Sequence, residues 1–111
     1  MNHSRWKSAR ERKALREYAE PAEIEAERAE IRLAMAFAKA VYDRRKALGL
    51  SQAQLAERAG LTQAKVSRVE GADAVPTLPL LRRLAHALDA SLTIDLGHDH
   101  EEVAFVAHPA A

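Results

Sequence analysis

Gln63, Ala64, Lys65, Ser67 and Arg68 fall within six consecutive positions, and a helix would group them on the side left when Val66 and Val69 turn inward. Such a set carries the groups that read base-pair edges. Gln63 can bond adenine through both amide groups, Lys65 or Arg68 can donate to guanine O6 and N7 or to phosphate, and Ala64 can touch a thymine methyl. A helix about 10–12 Å across enters a major groove about 12 Å wide end-on, first turn deepest. Thr62 stands where this helix needs a cap. Gln52 opens the preceding helix, whose free backbone N–H groups naturally meet a phosphate. The chemistry indicated is recognition of double-stranded DNA.

Two short helices around a tight turn, within Gln52–Gly71, would present these residues. Ala56 is small enough for the second helix to cross close over the first. Gly60 can take the left-handed conformation that ends a helix sharply. Leu55, Ala59, Leu61, Val66 and Val69 supply the apolar faces that fix the angle between the helices. Ser51, with Gln54 three residues on, completes a capping-box pattern.

The wider chain reads as mainly α. Residues 1–20 are charged and rich in helix formers, with Trp6, Leu15 and Tyr18 as sparse apolar points, and suit an arm or helix ending near Pro21. Pro21 then opens a long helix through Leu48. Ala34, Phe37, Ala38, Val41, Arg45 and Leu48 fall on one side of it, with Arg32, Lys39, Asp43 and Lys46 opposite. Thr77 caps a further helix through about Asp89, with an apolar stripe of Leu78, Leu81, Leu84, Ala85 and Leu88; His86 is expected to pack at its edge. After Ala90 the period becomes twofold. Leu92, Ile94 and Leu96 form a strand, a polar turn spans 97–102, and Val103, Phe105 and Ala107 alternate again, giving a hairpin. The expected organisation is 1–30 as an N-terminal helical extension, 31–90 as the DNA-binding bundle and 91–111 as a strand or hairpin. Two strands alone are marginal in water, so a matching hairpin in a second copy is one source of support.

Composition bounds the function. With 111 residues the chain has room for one domain and an appended arm, and its net charge is +1. That balance hides an asymmetry: Arg5, Lys7, Arg10, Arg12, Lys13 and Arg16 stand against Glu11 at the start, while Asp99, Glu101 and Glu102 are the formal charges after Leu96. Residues 51–95 are electrically balanced, so strong phosphate attraction calls for two copies on a two-fold site or for help from the basic arm. Cysteine is absent, which removes disulfides and thiolate metal sites. No apolar run approaches a membrane span and the start has no apolar h-region, so a cytoplasmic protein with no membrane association is expected. No glycine-rich phosphate loop appears and no acid pair sits in a recognisable pocket, so no enzyme and no cofactor are expected. His98, Asp99, His100 and His108 could ligate a metal, but such a cluster reads first as a polar turn, and no metal is expected.

The string from Leu48 to Glu70, followed by Pro76–Leu88, resembles the Cro/cI-type (Xre) helix-turn-helix family over about residues 41–90. The resemblance implies a lambda-repressor-like bundle. It also implies a salt bridge between an arginine before the Gly-Leu-Ser-Gln turn and the glutamate ending the recognition helix, here Arg45 and Glu70. Arg45 on an apolar face needs such a partner, because an unpaired buried charge is costly. One departure is Gly71-Ala72-Asp73, where the family often has Asn-Gly-Lys: Asp73 would repel a phosphate. A second departure is the long extension before the module and the strand after it, an arrangement similar to HigA-like antitoxins. That resemblance implies a homodimer that represses its own promoter and neutralises an RNase-type toxin held through the extension, whose Glu17, Glu20, Glu23, Glu25, Glu27 and Glu30 could meet a basic partner. The alternative is a stand-alone Xre-family transcriptional regulator with no toxin partner.

Overall fold

A computed structural model describes residues 21–109 of the chain. The expected arm over residues 1–20 lies outside the described residues. Among the described residues four helices, α1 (Pro21–Ala47), α2 (Gln52–Ala59), α3 (Gln63–Glu70) and α4 (Leu78–Ala87), precede two strands, β1 (Ala90–Leu96) and β2 (Glu101–Ala107). The expected mainly helical fold with a C-terminal hairpin is the observed one. α1 runs unbroken through residue 30, with Glu23 in its first turn and Arg44, Arg45 and Lys46 in its last, as the helix dipole favours.

Local chemistry sets each boundary. Ser51 Oγ accepts the Gln54 N–H at 3.1 Å while Gln54 Oε1 accepts the Ser51 N–H at 2.8 Å, the capping box expected of α2. Thr62 and Thr77 accept from Lys65 and Leu80, so α3 and α4 start where their hydroxyls bond. α2 ends at Gly60, whose φ of 67° lets the Leu61 N–H reach back to the Ala56 carbonyl at 2.9 Å. α3 closes differently. Gly71 has φ −84°, and the left-handed residue is Ala72 at φ 56°, which lets the Asp73 N–H reach the Arg68 carbonyl.

Val41, Leu55, Ala56, Ala59, Val66, Val69, Leu80, Leu84, Ala87 and Leu88 form one buried core, with Leu48, Leu61 and Phe105 packed against it. The two helices around the Gly60 turn therefore meet through the apolar positions the sequence singled out. The expected stripe of α4 needs correction. Leu78 is 76% exposed and Leu80 takes its place in the core. The face centred on Leu84 is completed by neighbours at three and four residues, whereas Leu78 lies six before it and falls off the edge. His86 is exposed rather than packed, for it projects from the far side of that face.

The hairpin pairs antiparallel from Ala90 with Ala107 to Leu96 with Glu101, so the turn is shorter than expected and Glu101 is already strand. β2 lies along α1 and β1 against α4, which gives the two strands a supporting surface within the chain. Arg32 accordingly does not stand free on the solvent side of α1. Its guanidinium donates to Glu101 from Nε at 2.8 Å and from Nη2 at 3.1 Å, and Nη2 also meets Glu25 at 2.9 Å. This fork holds the hairpin tip on α1 and keeps the Glu101 carboxyl below its usual pKa, chiefly through the Arg32 hydrogen bonds. Beside it the His100 ring lies 3.4 Å from Asp99 and 3.5 Å from Asp95, and those bonds raise its pKa. His108 pairs with Asp89 at 3.1 Å, away from that turn, and no metal-holding group of three occurs among the described residues.

Three expectations follow. A Cβ on Gly60 meets nothing within 4 Å, so Gly60→Ala incurs only the left-handed backbone penalty. It should lower unfolding free energy by about 1–2 kcal/mol in urea titration. Ala72→Gly should do the reverse, by about 0.4–1 kcal/mol. The hairpin should be firmest at intermediate pH. Glu101, depressed when folded, contributes above its unfolded pKa and loses that contribution as pH falls through its folded value. His100, raised when folded, contributes below about 6.5 and loses that contribution as pH rises through its folded value. Hydrogen exchange of the strand amides, corrected for intrinsic rate, should show both limbs; Glu101→Gln should flatten the acid limb and His100→Ala the alkaline one.

Candidate nucleic-acid interface

Three elements converge on the outer end of α3. Its first turn follows the Thr62 cap, its inner side is fixed by fully buried Val66 and by Val69, and its last residue is held from behind. Gln63, Ala64, Lys65, Ser67 and Arg68 are all exposed on the remaining face. Among the described residues neither Lys65 nor Arg68 is drawn into an ion pair with a carboxylate. The structure thus brings the five expected readers together on one unobstructed surface, with Thr62 at its leading edge.

What holds α3 is the Arg45–Glu70 pair. Arg45 Nε and Nη2 donate to the two oxygens of Glu70 at 2.8 and 2.9 Å, and Arg45 Nη1 donates to the Leu50 carbonyl at 2.8 Å. Arg45 is 7% exposed. A buried guanidinium is tolerable only with its donors satisfied, and this fork satisfies them while joining the end of α1 to the end of α3. The Glu70 hydrogen bonds raise the Arg45 pKa still further, so the cation is permanent. The Tyr42 ring covers it, 5.2 Å from Cζ to ring centre.

Gln52 takes a different place from the readers. Its Nε2 donates to Glu70 Oε1 at 3.3 Å, so the side chain braces the salt bridge while its backbone N–H faces outward at the start of α2. It lines a polar hollow with Lys46, Ser51, Gln54 and Gln63. Lys46 is exposed, as its solvent-side position on α1 led one to expect, and it also stands at this hollow, which its helical position alone does not indicate. Its ammonium is exposed at the hollow's rim, 5.9 Å from the Tyr42 ring centre. The available signal was its place three residues before the Gly49 turn, which carries the end of α1 to the start of α2. On the opposite side, Asp73 shares a groove with Lys65 and Arg68, so the loop after α3 contributes negative charge there.

Comparison with known proteins agrees with this architecture. Residues 41–94 match the family model described as Helix-turn-helix, and this segment of the chain belongs to that family. Helix-turn-helix domains lay their second helix in the major groove while the first crosses the backbone, which places the chain in a class of DNA-binding proteins. The chain is also similar to the restriction-modification controller protein C.AhdI from Aeromonas hydrophila, seen in a high-resolution crystal structure: 36% identity over 50% of this chain and 85% of that one, TM-score 0.49. No curated protein matches the chain. No helix among the described residues is long and apolar enough to cross a membrane.

Arg45→Ala should strip Glu70 of its main partner inside the fold and lower stability by about 3–5 kcal/mol, read as a shift in the urea midpoint at unchanged slope. Arg45→Lys should recover little of it, because an ammonium cannot reproduce the two-pronged bond.

Proposed function

We propose that this chain is a sequence-specific transcription repressor that reads duplex DNA with α3 and grips the flanking backbone with the start of α2. The observation that carries this reading is the exposed, unpaired row from Gln63 to Arg68 on a helix propped by Arg45, Glu70 and Gln52. In this reading Gln63 and Lys65 meet base edges, Ala64 meets a thymine methyl, and Ser67 and Arg68 meet bases or phosphate. Thr62, the backbone of Gln52 and the ammonium of Lys46 face phosphates. Two copies on a two-fold site supply the affinity that one electrically balanced module lacks.

A finer role rests on what the helix-turn-helix segment does not use. Residues 21–40 of α1 precede the matched region and carry Glu23, Glu25, Glu27 and Glu30. These carboxylates outside the DNA-binding module, set among Arg28, Arg32 and Lys39, suit a second, basic protein, and support the antitoxin of a toxin–antitoxin pair with an RNase-type toxin. Co-expression with the protein encoded next to it should then relieve growth arrest and yield a stable complex. Absence of both would leave a stand-alone regulator.

Gln63→Ala should cost about 1–3 kcal/mol at a selected site and relax one base position, with little change on random duplex. Lys46→Ala should weaken selected and random duplexes alike and reduce the salt dependence by about one phosphate contact. Fluorescence anisotropy over a salt series measures both. Equal losses on the two duplexes for Gln63→Ala would contradict its base-reading role.

A further inference from the structure

One strip of α1 carries Ile24, Arg28, Ile31, Met35, Ala38 and Tyr42, spaced by four, three, four, three and four residues. Ala38 is buried against the chain's own core, but around it Ile31 is 61%, Met35 59% and Tyr42 46% exposed. Single apolar residues at a surface need no explanation, but an aligned row does. A repeat averaging 3.5 residues is the seam of a coiled coil, and one charged residue within it, here Arg28, is how such seams fix their alignment.

We infer that this strip is where a second copy of the chain docks, with the two α1 helices packed antiparallel. The charges of α1 favour that partner and that orientation. Its first half holds Glu23, Glu25, Glu27 and Glu30 against Arg28 and Arg32; in its second half Arg45 is buried on Glu70 and Arg44 is bonded to the Leu88 and Asp89 carbonyls, which leaves Lys39 and Lys46 against Asp43. Antiparallel packing lays each acidic half on the other's basic half, whereas parallel packing stacks like on like. Centred between Ile31 and Met35, it sets Ile31 on the partner's Met35 and Ile24 on the partner's Tyr42. The same alignment puts Lys39 beside the partner's Glu25. The two Arg32 side chains that approach near the centre each come already bonded to Glu25 and Glu101. The inference deepens the two-copy reading above by giving it a surface.

The full chain tests it directly. Sedimentation equilibrium should show a dimer, and Ile31→Glu with Met35→Glu should be monomeric at the same concentrations with an unchanged far-ultraviolet circular-dichroism spectrum at 25 °C. Leu78→Asp, in the separate groove between α4 and β1, should remain dimeric. Orientation is read by disulfide trapping, which is clean because the sequence has no cysteine. Glu25→Cys mixed with Lys39→Cys should form the mixed disulfide, and neither alone should cross-link. A native chain that stays monomeric overturns the seam and the two-copy reading together, with duplex binding by that same chain as a separate measurement. A double variant that remains dimeric, or dissociation by Leu78→Asp instead, overturns the seam alone. Same-site disulfides overturn the antiparallel arrangement.

Discussion

The Arg45–Glu70 fork is the constraint on which the rest of the molecule depends. It joins the last turn of α1 to the last residue of α3 across 25 residues of sequence, in a place where neither charge could survive alone. Hydrophobic packing by Val66 and Val69 is non-directional and would permit α3 to roll. Two parallel hydrogen bonds to a planar guanidinium do not. Leu50 and Gln52 complete the shell, so the turn between α1 and α2 is tied to the same point. The rigidity of the reading surface is therefore assembled from behind, leaving its outer side chains unengaged.

That division of labour explains the electrostatics. A domain with balanced charge attracts phosphate only weakly, so in the proposed reading geometry and a second copy supply the affinity. Lys46 and the start of α2 lie on one flank of α3, while Asp73 lies on the other. One flank thus offers an exposed ammonium and the open end of α2, and the other a carboxylate set beside Lys65 and Arg68. Arginines elsewhere serve the fold. Arg44 donates to the carbonyls of Leu88 and Asp89, and Arg83 to that of Gly60, satisfying chain ends the helices leave open.

The parts legible in the sequence were those governed by short-range rules. Ser51, Thr62 and Thr77 mark helix starts because a hydroxyl three residues before an N–H can bond only one way. Gly60 marks a turn because few residues accept its conformation. Arg45 declared its need for a partner by sitting on an apolar face, although the identity of that partner came from resemblance. Arg32 gave no such sign. Its partner Glu101 is 69 residues away, and both occupy positions that read as ordinary solvated surface. Lys46 is exposed on the side expected of it, but helical periodicity describes which side a residue faces and not what the chain brings round to meet it. The left-handed turn at Ala72 was hidden by the glycine next to it, and Leu78 by a spacing rule that holds only where a core reaches.

The central claim is that the exposed row on α3 is the surface that meets DNA. Amide chemical-shift perturbation of the full chain, titrated with a duplex selected from a random library, tests it most directly. The account predicts that the largest changes fall at Gln63, Ala64, Lys65, Ser67 and Arg68, with a second group at Gln52 and Lys46. Changes confined to the hairpin or to the first half of α1, with α3 silent, would contradict it.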